Sequence, residues 1–310
     1  MQLSAPARHL VSHDIDEHAD SLTGWQQRYD QITGGRFEGS LVELCQPKLQ
    51  LFRETTSHVL QQSCEVPAGS FWFGLPQQRD GTRINGRATD ADCLLLRPGG
   101  CAFELHTPGQ FAILGLVVER DLLSECALDR GYRIDWQRLA GAEFMRVPAA
   151  ARQDFVSASQ RCLSSERAPD TDAVLGALFA MLSPCQPAAT PSLSFARRQK
   201  VVAQVRAYLL LHRDEAIGVP ELCTRMHVSR RTLQYCFEDV LGMSPTSYLR
   251  MERLNGARRH LREGAPQHRS VQDVAAGWGF WHFSQFACDY RKLFGERPSD
   301  TFKRHAATLN

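Results

Sequence analysis

The chain has no run of eighteen apolar residues, so no stretch of it is long enough to cross a membrane as a helix. Its first twenty residues are polar, hold acidic side chains and lack an apolar core segment, so a secretory signal is not expected. Ten cysteines are present, but no two stand in a C-x-x-C pair. With no export signal they read as reduced, mostly buried thiols of a cytoplasmic protein, with neither a disulfide framework nor a structural zinc. No glycine-rich phosphate loop, nucleophile elbow or H-E-x-x-H helix occurs. These absences turn attention from catalysis to binding.

Charge is present but unevenly placed. Residues 195–310 hold 19 Lys and Arg against 11 Asp and Glu, whereas residues 1–194 hold 17 against 23. A basic C-terminal part favours a polyanionic partner, because each neutralised phosphate releases condensed counterions. The acidic part does not offer a second such surface.

Between Phe37 and Val118, short apolar stretches alternate with turn signals. Leu49, Leu51 and Arg53 share one strand face, and Gln50, Phe52 and Glu54 the other. Strands are also expected over Val59–Val66, Ser70–Leu75, Cys93–Leu96, Cys101–His106 and Phe111–Val118, in a small antiparallel roll of cupin-like form. A metal-dependent enzyme on such a roll is the less favoured reading, since it offers only His58 and His106 and no H-x-H pattern. From Asp121 to Leu182 the period becomes helical, and Leu175, Leu178, Phe179 and Leu182 form one stripe, to cover the roll or to form a dimer surface. His13, Asp14, Asp16 and His18 lie in a tail expected to be solvated rather than metal-binding. The fold class is therefore α+β with two domains: an N-terminal domain over 1–183 that carries the roll and the candidate dimer stripe, a proline-rich linker over 184–196, and an all-helical domain over 197–310.

That last domain carries two helix-turn-helix patterns in tandem. In the first, Pro220 to Met226 is the scaffold helix, His227 and Val228 make the turn, and Ser229 is the N-cap of the next helix. Leu233, Cys236, Phe237, Val240 and Leu241 form its buried stripe. Arg230, Arg231, Gln234 and Tyr235 face the other way, where arginine suits guanine and glutamine suits adenine in the major groove. A bridging helix over Ser247–Leu261 carries Arg250, Arg253, Arg258 and Arg259, as phosphate contacts or as a solvated charged face. The second pattern runs from Ser270 to Gly295, with Phe286, Tyr290, Leu293 and Phe294 as its stripe. Trp281 is expected in its core, with a stacking or wedge role as the alternative.

The region Val201–Arg304 resembles the AraC/XylS family of bacterial transcription regulators, through Val228-Ser229-Arg230-Arg231-Thr232-Leu233, Gly242-x-Ser244-Pro245, Arg253-Leu254-x-x-Ala257-Arg258, Gly279-Phe280 and Phe294-Gly295-x-x-Pro298-Ser299. The resemblance implies two readers entering successive major grooves of promoter DNA, an effector-binding roll, and RNA polymerase as a partner. Arg253 matches the family's Arg-Leu pair. Cys288 stands where the family often has Arg, and Asp289 should repel phosphate, so the second reader should lean on His282, Ser284 and Gln285. Over Gly24–Gln31, Leu60–Cys64, Ser70–Pro76 and Arg97–Gly100 the chain resembles a narrower group, activators of ethanolamine-utilisation operons. That implies ethanolamine and adenosylcobalamin as joint inducers. An ammonium needs an aromatic face or carboxylate and a polar partner for the hydroxyl, which Trp25, Phe71, Trp72, Phe73 and Glu104 can supply. Strand alternation sets Trp72 opposite Phe71 and Phe73, so not all five can line one pocket. Asp16-Glu17-His18-Ala19-Asp20-Ser21 falls short of the Asp-x-His-x-x-Gly pattern of cobalamin proteins. A different small amine or metabolite is the alternative inducer.

Overall fold

Alternating apolar residues over the first 120 positions build two sheets. The computed structural model describes residues 6–78, 81–90, 92–165, 169–183, 191–212, 215, 217–263 and 270–306. In chain order come β1 (Arg8–Ser12), α1 (Ile15–Ala19), β2 (Gln26–Gln31), β3 (Gly39–Gln46), β4 (Leu49–Thr56), β5 (Leu60–Glu65), β6 (Ser70–Pro76), β7 (Arg83–Ile84), β8 (Arg87–Ala88), β9 (Cys93–Pro98), β10 (Phe103–Thr107) and β11 (Phe111–Glu119). They are followed by α2 (Arg120–Asp129), α3 (Trp136–Ala140), β12 (Phe144–Arg146), α4 (Ala149–Ser164) and α5 (Thr171–Leu182). One sheet has the order β1-β3-β4-β11-β6-β9-β12 and the other β2-β5-β10-β7-β8. Register is set by apolar cross-strand pairs: Leu51 of β4 lies opposite Leu44 of β3 and Leu116 of β11.

The larger sheet separates two cores. Phe52, Trp72 and Ile113 from it meet Leu60, Phe103 and Leu105 of the smaller sheet. Its other face, with Leu51, Phe73 and Leu116, is covered by Phe155 of α4 and by Leu178 and Phe179 of α5. β6 is buried at every position for this reason. The stripe Leu175, Leu178, Phe179 and Leu182 lies wholly in that second core, so its apolar area is already used within the chain.

Two elements depart from the sequence expectation. The N-terminal tail is not a solvated segment: β1 pairs with β3, Leu10 opposite Leu41. Asp14 caps α1 by accepting the N–H groups of Asp16 and Glu17, and Ile15, His18 and Ala19 are buried. Three inward residues among polar ones were enough to anchor it. Likewise β12 interrupts a region expected to be helical and pairs with β9.

Contacts divide the chain into a unit of Met1–Tyr29 with Phe37–Thr190 and a unit of Asp30–Arg36 with Pro191–Asn310. Of the residues read as linker, 184–190 lie outside the described residues, and helix already begins at Leu193 with Ser192 as its cap. The second unit holds α6 (Leu193–Leu211), α7 (Val219–Arg225), α8 (Arg230–Leu241), α9 (Pro245–Glu263), α10 (Val271–Gly277), α11 (Phe283–Phe294) and α12 (Pro298–Ala306). α9 serves two cores. Its first half gives Tyr248, Leu249 and Met251 to a cluster with Leu233 and Phe237. Its second half gives Leu254, Ala257 and Leu261 to a cluster with Phe286 and Tyr290.

The segment Asp30–Arg36 is built into the second of these clusters' surroundings. Asn255 accepts the Gln31 N–H at 2.9 Å and donates to the Gln31 carbonyl at 3.0 Å. The Gln31 amide and the Gly35 N–H both donate to the Leu293 carbonyl, at 2.7 and 3.0 Å. Asp30 pairs with Arg259 at 2.7 Å.

Candidate nucleic-acid interface

The first candidate reader is α8. Ser229 Oγ accepts the Thr232 N–H at 3.1 Å, satisfying one of the helix's free donors. At the other end Gly242 adopts φ 71°, the left-handed cap that favours glycine. Leu233, Cys236, Phe237, Val240 and Leu241 are buried as expected. Arg230, Arg231 and Tyr235 are exposed, and Gln234 is half-buried. The Gln234 amide donates to Glu238 at 2.5 Å, one turn on, which holds its carbonyl away from that carboxylate.

The second candidate reader is α11, closed by Gly295 at φ 68°. Phe286, Tyr290, Leu293 and Phe294 are buried. His282 sits at the N-cap without a side-chain capping bond. His282, Ser284, Gln285 and Cys288 are exposed. Two expectations are corrected. Trp281 is not core: it is 71% exposed, because Phe280 and Phe286, with centroids 4.9 Å apart, already fill the space beneath. Asp289 is not a free negative charge facing phosphate: it pairs with Arg250 of α9 and accepts the Gln285 amide at 2.8 Å.

Four of the α9 arginines meet a partner within their own unit. Arg250 holds Asp289, Arg258 lies over the Phe294 ring at 5.3 Å, and Arg259 holds Asp30. Arg253, named among the DNA-contacting candidates, donates instead to the carbonyl of Ile217, and burial lowers its pKa. It ties the bridging helix to the residue before Gly218, the N-cap of α7.

In the N-terminal unit the five residues considered for an effector are not brought together. Phe71 and Phe73 stack at 6.0 Å in the core beneath the helices. Trp72 lies between the sheets, 5.7 Å from Trp25 and 5.0 Å from Phe103. Glu104 accepts from Gln61 and Ser63 at 2.9 Å each; its β10 neighbours Phe103 and Leu105 enter the sheet–sheet core, so alternation sends it to the opposite face.

The structure gathers a different set there. Glu54, inward on β4, accepts the Tyr29 hydroxyl at 2.9 Å and lies 3.1 Å from His18 Nε2. Phe37 packs on the His18 ring at 5.3 Å. No lysine or arginine pairs with Glu54 among the described residues. Burial first, and then Glu54, pushes the Tyr29 hydroxyl well above its usual pKa. Glu43 shows the contrast. Burial opposes its ionisation, but the Thr23 N–H, the Gln50 amide, the Thr23 hydroxyl and Arg8 outweigh it and hold its carboxyl below the usual value. Thr56 Oγ1, next inward on the same strand face as Glu54, and Gln27 Oε1 are buried without a hydrogen bond. The sequence signal was a glutamate on the inward face beside Phe52, where a charged side chain is unusual. Among the described residues no three His, Cys, Asp or Glu side chains converge as metal ligands.

Comparison with known proteins bears on the C-terminal unit. Residues 222–304 match a family model described as a helix-turn-helix domain. The probable thc operon regulatory protein of Rhodococcus erythropolis is 33% identical over 96 residues, 31% of this chain and 29% of that one. The XylDLEGF operon transcriptional activator 3 of Pseudomonas putida is 37% identical over 90 residues, 29% and 27% of the two chains. The matched stretch thus spans less than a third of each relative. Among solved structures, the AraC-like transcriptional activator CuxR is 16% identical over 78% of this chain and 86% of that one, with a TM-score of 0.37. The matches support a helix-turn-helix domain over residues 222–304.

Proposed function

We propose that the protein is a sequence-specific, DNA-binding transcriptional regulator of AraC/XylS type, working in the cytoplasm with promoter DNA and RNA polymerase as partners. The observation that carries this reading is α8: a capped helix with a continuous buried stripe and Arg230, Arg231, Gln234 and Tyr235 on its outer side. A second helix of the same build, 12 residues with a left-handed glycine cap, follows in the same unit. In this reading the N-terminal unit senses an effector, which acts only by binding the active arrangement more tightly than the inactive one.

The finer proposal is activation of an ethanolamine-utilisation operon. It is supported by the buried Glu54 carboxylate, set between Tyr29, His18 and Phe37 with no arginine or lysine partner among the described residues. A small ammonium with one hydroxyl would offer that carboxylate a cation and the cluster a hydrogen-bonding group. The same chemistry suits another small amine, which is the second reading. Adenosylcobalamin enters by resemblance alone. The stretch Asp16–Ser21 does not fit it, because His18 is buried against Glu54.

The test uses the full chain. Selection from random duplexes should return a defined site, and Arg231→Ala should cost roughly 1–3 kcal/mol there and less on random DNA. Calorimetry with ethanolamine, alone and with adenosylcobalamin, should show heat that Glu54→Gln removes while the selected site is still bound. A defined site with no heat from millimolar ethanolamine keeps the regulator and discards this inducer. Selection without a preferred sequence discards the regulator.

A further inference from the structure

The two readers share a framework but not a surface. Aligned on their stripes, Leu233, Phe237, Val240 and Leu241 fall on Phe286, Tyr290, Leu293 and Phe294, and the caps Gly242 and Gly295 coincide. In that register Arg230, Arg231, Gln234 and Tyr235 fall on Phe283, Ser284, Ala287 and Cys288. The cationic face of α8 is replaced on α11 by an uncharged one that is apolar at Phe283 and Ala287.

The turns before the helices add to this. The Val228 N–H bonds back to the Cys223 carbonyl at 3.0 Å, and the Phe280 N–H to the Ala275 carbonyl at 2.9 Å, the same bond in each unit. His227 at φ 52° and Gly279 at φ 73° hold the same place in the two turns. From that place to the first helical residue the second turn is one residue longer. Val228 and Phe280 both pack against their cores. The extra residue is Trp281, pushed into solvent beside Phe283, which is 39% exposed. Phe283, Ala287 and Cys288 line one groove of about 460 Å³ with Gln272 and Arg297, so they share a face.

Trp281 and Phe283, two residues apart and both exposed, give the start of α11 an apolar surface of the kind that marks a contact site. Duplex DNA is the proposed partner of this unit, and its basic charge favours that partner, but charge does not account for aromatics at the start of the second helix. The 5-methyl of thymine is the apolar group that base pairs present in the major groove. We propose that α11 reads thymine methyl groups through Trp281, Phe283 and Ala287, while α8 reads hydrogen-bonding base edges. This inference rests on the DNA-binding reading above.

The experiment takes the site selected by the full-length protein and replaces each thymine in turn by uracil, which removes only the methyl. In the half-site under α11, each contacted methyl should cost about fourfold in affinity, the worth of one buried methyl-sized group. In the half-site under α8, uracil should be tolerated. Trp281→Ala, at a 71% exposed position, should leave the unfolding temperature unchanged, and Phe283→Ser, at a 39% exposed one, should lower it; both should abolish the uracil penalty and leave the α8 half-site preference intact. Uracil tolerated throughout the α11 half-site, or a selected half-site without thymine, overturns the inference while the regulator stands. A loss of affinity in Trp281→Ala with no uracil effect also overturns it, in favour of a wedge or a protein contact. Selection that returns no sequence overturns both readings together.

Discussion

A guanidinium on a basic helix can serve a phosphate or its own chain, and Arg253 serves its own chain. Its partner, the carbonyl of Ile217, belongs to a residue buried at 1% exposure. Arg253→Ala should therefore destabilise the C-terminal unit by about 1–3 kcal/mol, the cost of leaving a buried acceptor unmet. Because no phosphate contact is lost, the slope of log affinity against log salt should stay the same. A slope reduced by about one would return Arg253 to the DNA surface. Single residues also set the response to acid. Burial, with repulsion from Arg83 added, lowers the His106 imidazole to about 4. Between that value and 6.5 the unfolded chain holds a proton there that the native chain does not. The stability involved is whole above pH 6.5 and is lost as pH falls toward 4. The unfolding temperature should drop across this window, and His106→Gln should flatten the drop. Equal slopes in variant and wild type would show that His106 titrates freely in the native state.

At the scale of the element, the caps decide where the reading helix begins. Ser229 supplies the one side-chain cap of α8, so Ser229→Ala should cost about 1 kcal/mol, measured as a shift in denaturant midpoint at constant slope. No shift would mean that Thr232, whose hydroxyl lies 2.8 Å from Ser229 Oγ, takes over the cap. Helices of this kind were legible in the sequence because cap, stripe and glycine stop all agree locally. Strands β4 to β6 and β9 to β11 were legible from turn spacing, and the opposition of Trp72 to Phe71 and Phe73 from alternation alone. β1 and α1 were not. Their apolar residues are few, and what anchors them is tertiary: β3 across the ladder and Glu54 beneath His18. The sensor candidates fared likewise. Aromatic composition pointed to Trp25 and Phe71–Phe73, whereas the polar cluster depends on Tyr29, His18 and Glu54 arriving from three distant elements, which no local pattern encodes. Trp281 was misread because the second turn's extra residue is visible only once both turns are aligned by their backbone bonds.

At the scale of the whole molecule, the C-terminal unit is discontinuous in sequence. A cut at the proline-rich stretch yields residues 191–310 and omits Asp30–Arg36, which the unit's own contacts include. In that fragment Asn255, 2% exposed in the full chain, loses both backbone partners on Gln31, the Leu293 carbonyl loses two donors, and Arg259 loses Asp30. Water can reach some of these groups once the segment is gone, so the net cost should be about 2 kcal/mol rather than the sum of the separate bonds. The loss should be local. Amide hydrogens in the second half of α9 and in α11 should exchange faster in the fragment than in the full chain, and those of α8, which packs on the other core, should not. Asn255→Ala in the full chain should loosen the same helices in part, and joining residues 30–36 to the fragment through a flexible linker should restore them. Equal protection of α11 in fragment and full chain would show that the segment decorates the unit without supporting it. Loss spread evenly over α8 and α11 would instead mean that the two readers unfold as one body, and that the double core along α9 is not a boundary between them.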